Sequence, residues 1–477
     1  MLNTRQFYIN GKWVDPHVER DHHVINPTTE EPCTVISLGG EKDVDDAVAA
    51  ARAAYPVWKN TPVEERIAAL ERLIDNYEAG VEDMARSMSV EMGAPIDFST
   101  NVHFVAGLNH LRNFAKIARE FTFEEPLSEE SPDSWIIYEP VGVVALITPW
   151  NWPMNQIMLK VGAAIVAGCT MVVKPSEESP LSALILADMV DRAGFPPGVF
   201  NLVNGDGAGV GTAMSSHMDV DLVSFTGSGR AGKLVSEAAI GNLKKVHLEL
   251  GGKGANLVFD DADPDAVARG VRQLMINSGQ SCIAPSRMVV EESAYDQAVE
   301  IATEVGESLT VGPAEEPGPH LGPVVNKAQF EKIQGLIRSG IEEGARVIVG
   351  GPGRPEGFNR GFYVRPTIFA DVTNDMAIAR EEIFGPVLVM MKFKDEDDAI
   401  EIANDTDFGL MNYVQTQDAE KLKRVSRKLR CGMVEANGIR RGAGAPFGGV
   451  KQSGNGREGG KWGLEEFLEV KLVSGWK

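Results

Sequence analysis

Hydrophobic and polar positions change their spacing several times along this chain. Near the N-terminus, Phe7-Tyr8-Ile9-Asn10-Gly11-Lys12-Trp13-Val14 predicts a β-hairpin, because Asn-Gly supplies the two positive φ angles of a type I′ turn. Residues 44–58 and 62–79 then place alanines and leucines at helical intervals and predict two amphipathic helices. From Val141 the pattern changes again. Short apolar runs at residues 143–147, 171–173, 199–203 and 222–225 alternate with helix-like segments, which predicts βαβ units and a mostly parallel sheet.

A second series begins after Glu249. Residues 255–259 predict a strand, and a helix follows with Asp263 as N-cap and Pro264 at the first helical position. That helix is expected to run to about Asn277 and to deliver Ser278-Gly279-Gln280-Ser281-Cys282 on the loop behind it. Strand–helix alternation continues to about Glu435, and residues 467–473 predict a further strand. The glycines of Gly251-Gly252-Lys253-Gly254 give the backbone freedom expected of a hinge between two domains. With 477 residues the chain exceeds what one core supports, so at least two large domains are expected.

Composition narrows the functional classes. Asp and Glu number 68 against 46 Lys and Arg, a formal charge of −22, and no extended basic run offers a surface for nucleic acid. The longest apolar stretches fall short of the roughly 20 residues that span a bilayer, so no membrane partner is expected. Cys33, Cys169, Cys282 and Cys431 are scattered, without a disulfide framework, and point to a reducing, cytoplasmic setting. The eight histidines show no metal-ligand spacing, so no metal is expected.

Four clusters could carry chemistry. Cys282 lies between small polar residues on its loop; a lone cysteine is usually a small buried hydrophobe, as Cys169 and Cys431 read. Gly227-Ser228-Gly229-Arg230-Ala231-Gly232 spells GxGxxG between a strand and a helix, where glycine amides can meet a pyrophosphate. On that reading Glu249 stands at about the distance of a ribose ligand. Thr148-Pro149-Trp150-Asn151-Trp152-Pro153 closes a strand where open α/β sheets bind ligands, and the Asn151 amide there could meet an oxyanion or merely form a turn. Lys174-Pro175-Ser176-Glu177 closes the next strand, suited to sugar hydroxyls or simply to solvent.

Together these segments resemble the aldehyde dehydrogenase superfamily. The resemblance extends in order through Leu248-Glu249-Leu250-Gly251-Gly252-Lys253, Gly279-Gln280-Ser281-Cys282, Glu382-Ile383-Phe384-Gly385-Pro386-Val387, Pro446-Phe447-Gly448-Gly449 and Lys451-Gln452-Ser453-Gly454. It implies an α/β fold in three parts. A Rossmann-like NAD domain would take residues 1–120 and 139–251, and a catalytic domain 252–450. A small β oligomerisation element with the C-terminal tail would take 121–138 and 451–477, giving a homodimer or homotetramer.

The resemblance also assigns roles. Cys282 is the nucleophile, Asn151 an oxyanion donor, and Glu249 a general base rather than a ribose ligand. Trp150, Lys174, Ser176, Glu177, Gly227, Ser228, Glu382 and Phe384 become cofactor contacts. The Glu177 carboxylate favours a free 2′-hydroxyl, hence NAD over NADP. The implied substrate is a small aldehyde oxidised to an acid through a thioester. Acylating relatives that use CoA generally lack the general-base glutamate, and a non-catalytic relative would have lost catalytic residues that are intact here. A cysteine hydrolase lacks a histidine placed by sequence to act as its base.

Two departures stand out. Gly229 replaces a bulkier residue often found in the family. In Asn437-Gly438-Ile439-Arg440-Arg441-Gly442-Ala443-Gly444-Ala445, two arginines stand where members acting on apolar aldehydes often carry an aromatic. Either arginine could favour a polar or anionic aldehyde, or both could face solvent or a neighbouring subunit.

Overall fold

The computed structural model describes residues 3–476. Its N-terminal hairpin pairs Phe7–Ile9 with Lys12–Val14, and Asn10 and Gly11 take φ of 53° and 71°, as the Asn-Gly turn requires. The two expected helices are Glu41–Trp58 and Val63–Ala79, each burying one stripe.

Two large sheets organise the rest. The first runs Gly454–Asn455, Lys245–Glu249, Leu222–Thr226, Val143–Ile147, Thr170–Lys174, Phe200–Leu202, Phe7–Ile9, Lys12–Val14. From Lys245–Glu249 to Phe200–Leu202 the pairing is parallel. The chain starts at Val143–Ile147, builds outward through Thr170–Lys174 and Phe200–Leu202, then returns to the opposite side with Leu222–Thr226. That reversal opens a crevice beyond the C-terminal ends of Val143–Ile147 and Leu222–Thr226, the place where such sheets bind ligands. These strands are apolar and buried along their whole length because helices cover both faces.

The second sheet runs Arg346–Val349, Thr367–Ala370, Val387–Phe393, Arg287–Glu291, Ala255–Val258, Met411–Gln415, Met433–Ala436, and only its first pair is antiparallel. Gly251-Gly252-Lys253-Gly254 carries the chain from one sheet to the other, but its first two glycines answer a different need from freedom. Neither has a positive φ. A Cβ on Gly251 would fall 2.4 Å from Glu382 Oε2, and one on Gly252 would fall 2.3 Å from the Cys282 carbonyl oxygen. Close approach, rather than a hinge, explains both.

The expected Asp263 cap also differs. Residues 263–265 form a turn, and the helix is Ala266–Met275 with Asp265 at its N-cap position. The Asp263 carboxylate instead takes two hydrogen bonds from the Arg269 guanidinium, at 3.0 and 2.7 Å, and one from the Asp265 amide. Asp263 thus still meets the amide two residues on, as a cap ahead of Pro264 would, and the Arg269 fork adds to that contact. Near the C-terminus, Leu468–Ser474 pairs with Ser134–Pro140, which also pairs with Glu124–Pro126, in a separate antiparallel sheet. No helix of the described residues is long and apolar enough to cross a membrane.

Candidate active site

The crevice of the first sheet faces the cysteine loop of the second. Helix Ala266–Met275 ends in a tight turn where Asn277, Ser278 and Gly279 all take positive φ (54°, 54° and 73°). Two non-glycine residues in left-handed conformation store strain that the surroundings must offset. Asn277 supplies that offset. Its side-chain amide donates to the Asn151 carbonyl (2.8 Å) and to the Gln280 carbonyl (3.3 Å). Asn151 in turn donates through its own amide to the Gln280 carbonyl at 3.0 Å. Gln280 anchors the loop from the other side, accepting the Val325 amide at 2.9 Å. Asn151 and Cys282 are thus tied to one point although they belong to different sheets.

Cys282 is half-buried at the meeting point of two cavities. Its thiol is pushed well above the ordinary cysteine range, first by burial and then by the carboxyl groups of Glu382 and Glu249. Glu249 ends strand Lys245–Glu249 and is 1% exposed. Burial, then the neighbouring Glu458, raises its carboxyl well above the usual range. Oε1 lies 3.4 Å from His247 Nε2, while Oε2 has no hydrogen-bond partner. A Cβ on Gly448 would fall 2.5 Å from Oε1, so the side chain is turned toward Gly448, away from the GxGxxG turn. Beside it, buried Lys160 pairs with Glu458 and donates to Ser224 Oγ at 2.9 Å.

On one side of Cys282 a cleft is lined by Trp150, Asn151, Thr226, Gly227, Ser228, Glu382 and Phe384. Glu382 accepts the Gly252 amide at 2.9 Å, and the Trp150 and Phe384 rings meet edge to face at 5.5 Å. Gln329 and Lys332 hold this segment by donating to the carbonyls of Phe384 (2.8 Å) and Glu382 (2.6 Å). Ser228 caps helix Gly229–Ala238, whose N-terminal dipole faces the crevice. The Thr226 hydroxyl, buried in this lining, has no partner. Glu249 does not line the cleft. Lys174, Ser176 and Glu177 form a separate group one strand over, with Lys174 Nζ 3.4 Å from Glu177 Oε2. A free hydroxyl, a helix N-terminus and a partly exposed carboxylate along one sheet edge fit a dinucleotide.

Comparison with known proteins identifies the family. The model of the aldehyde dehydrogenase family matches residues 13–473. The chain belongs to the aldehyde dehydrogenase family. A curated relative from Pseudomonas sp., 3-succinoylsemialdehyde-pyridine dehydrogenase, is 50% identical over the full length of both chains. A crystal structure of aldehyde dehydrogenase from Bartonella henselae superimposes with a TM-score of 0.98 at 54% identity, covering 99% of this chain and all of that one. A cysteine-to-alanine variant of aldehyde dehydrogenase C from Pseudomonas syringae, solved with NAD+ and octanal, gives a TM-score of 0.97 at 45% identity, covering 99% and 97%.

In this aldehyde dehydrogenase the second cavity opens on the far side of Cys282, between helix Phe104–Glu120 and the loop at 441–445. Phe114, Leu159, Ile283 and Phe447 give it apolar walls. Arg441 lines it, its guanidinium 5.0 Å from the Phe447 ring centre and its Nε 3.2 Å from Glu435 Oε1. Arg440 is exposed and does not line it. At Gly229 an added Cβ would meet nothing within 4 Å, so packing does not explain that glycine.

Several residues of this site escape sequence reasoning: Asn277, Glu458, His103 and the clamp of Gln329 and Lys332. His103 is fully buried, its ring centre 4.4 Å from that of Trp152 and tilted 34° to it, with Nε2 3.4 Å from Asn277 Oδ1. Lys160 alone left a signal, as the single charge in the otherwise apolar helix Pro153–Ala167.

Proposed function

We propose that this aldehyde dehydrogenase oxidises an aldehyde to its carboxylic acid with NAD, the acyl group resting on Cys282 between two half-reactions. The reading rests on one observation above others: Asn151, the Cys282 loop and the cofactor-side cleft converge where two sheets meet. Cys282 gives its proton to solvent as its sulfur bonds to the carbonyl carbon, and the carbonyl π pair moves to oxygen to give an oxyanion. The second N–H of the Asn151 amide and the Cys282 backbone N–H hold that charge; one such donor is typically worth about 2.7–4 kcal/mol of barrier. NAD, when bound, accepts the hydride, with Trp150, Lys174, Ser176, Glu177, Gly227, Ser228, Glu382 and Phe384 as the residues that would hold it. A thioester remains on Cys282. Glu249 then takes a proton from water, which hydrolyses the thioester and makes the enzyme non-acylating. Its unpartnered oxygen is free for that water, and burial with the neighbouring Glu458, only partly opposed by Lys160 and Arg457, raises its pKa and makes the carboxylate a stronger base.

Residues 1–120 with 139–251 serve as the cofactor domain, 252–450 as the catalytic domain, and 121–138 with 451–477 as the oligomerisation element. The outer edge of Leu468–Ser474 exposes Val470 (66%) and Leu472 (58%), suited to a homodimer or homotetramer in the cytoplasm.

The test is NADH formation over a panel of aldehydes with NAD or NADP, beside Cys282→Ala. Turnover lost in the variant supports the reading. NAD binding without reduction by any aldehyde would overturn it.

A further inference from the structure

The cavity beyond Cys282 is unlike the rest of the molecule in charge. The chain carries 68 acidic against 46 basic residues, yet no Asp or Glu lines this cavity, whereas Arg112 and Arg441 both do. Its other polar lining, including Asn109, Asn113, Asn155, Gln156, Ser281 and His110, carries no acidic group. The His110 ring donates from Nε2 to Asn155 Oδ1 at 2.8 Å, and burial, above all, holds the ring neutral by lowering its pKa to about 4. Among the described residues that line it, the charged side chains are these two arginines, each paired with a glutamate just outside the lining: Arg441 with Glu435 and Arg112 with Glu78.

Arg441 is set to use its charge. Glu435 accepts both its backbone N–H and its Nε–H at 3.2 Å and so fixes the guanidinium plane. Nη1 meets only the Met433 sulfur at 3.4 Å, and among the described residues no acceptor meets Nη2. The Phe447 ring beneath holds the group without consuming a hydrogen bond. Arg112 is paired with Glu78 of helix Val63–Ala79, which offsets its charge. A carboxylate is the acceptor that matches a guanidinium edge with two free donors, and it is ionised at neutral pH.

We propose that the substrate is an aldehyde bearing a carboxylate at the end remote from its carbonyl, with Arg441, through its unpartnered guanidinium N–H groups, as the residue that selects it. The proposal rests on the aldehyde-oxidising reading above and names the substrate class for that same site.

The experiment compares kcat/KM at saturating NAD for aldehydes of matched length ending in a carboxylate, its primary amide or a methyl group. The carboxylates should be favoured by about tenfold or more, the scale of one charge-assisted hydrogen bond. Arg441→Gln should bring the ratio of carboxylate to amide close to one, and Arg441→Lys should keep part of it. Because each ratio is taken on one sample, any inactive fraction cancels; if Arg441→Gln does not fold, the wild-type series still decides. Equal efficiencies across the wild-type series, or a ratio that Arg441→Gln leaves intact, would overturn the proposal alone. Failure of every aldehyde to reduce NAD would overturn the underlying activity with it.

Discussion

The cleft on the cofactor side of Cys282 is framed by strand ends, whereas the cavity on the far side is framed by helix faces and a glycine-rich loop. In the first, each wall is fixed by hydrogen bonds: Gly252 to Glu382, Gln329 to Phe384, Asn151 to Gln280. In the second, the Arg441 side chain is 31% exposed and held chiefly by Glu435 and a ring face. Strand termini in a buried sheet cannot move without breaking their ladders, so they can hold reacting atoms to tight tolerances. A loop can change sequence without disturbing a core. Under the proposed assignments the division separates reaction from selection, with chemistry on the sheet ends and choice of aldehyde on the loop.

That comparison predicts large effects on the sheet-end side. Glu249→Gln should lower steady-state turnover by roughly 10²–10⁴-fold while leaving a burst of NADH equal to the active sites. Loss of the burst as well would place Glu249 in the first half-reaction and break the assignment. Asn151→Ala should cost roughly 10²–10³-fold in kcat. Asn277→Ala should fall short of that in kcat but lower stability by about 1–3 kcal/mol, because it leaves the buried carbonyls of Asn151 and Gln280 short of a donor. If the two variants lost kcat equally, Asn277 would act on the reaction itself and the distinction between support and chemistry would fail.

Titration gives two smaller tests. Burial and two carboxyl groups raise the Cys282 thiol, so in cofactor-free protein its alkylation rate should climb by about tenfold per pH unit from neutral to alkaline. A plateau near neutral pH would mean a preformed thiolate. Burial lowers the His103 pKa from 6.5 to about 4, so the folded state favours the neutral ring. Its contribution is present above the unfolded pKa and is lost as pH falls from 6.5 toward 4, up to about 3 kcal/mol. Thermal melts across that window should steepen for the wild type and flatten for His103→Asn.

Much of this was legible before the structure. Continuous apolar runs announce buried parallel strands, and ligands collect at their C-terminal ends, so Asn151, Lys174, Glu177, Gly227 and Ser228 could be placed from order alone. The hairpin was readable because Asn10-Gly11 is a local device. Contacts between distant segments left no such trace. Lys160 and Glu458 are 298 residues apart, and His103 and Asn277 are 174 apart. Nothing local requires left-handed backbone at Ser278; only the fixed point imposed by Asn151 and Gln280 does. At Asp263 the local signal found its amide, on Asp265, while the Arg269 fork on the same carboxylate depends on the folded helix and left no trace.

The tie between Asn277 and Asn151 spans 126 residues of sequence. Closing such a loop is entropically slow, and each end is placed only after its own sheet has formed. The reactive centre is therefore a late product of refolding: secondary structure and much of the tryptophan burial should return first, and catalytic competence should follow in a separate, slower phase.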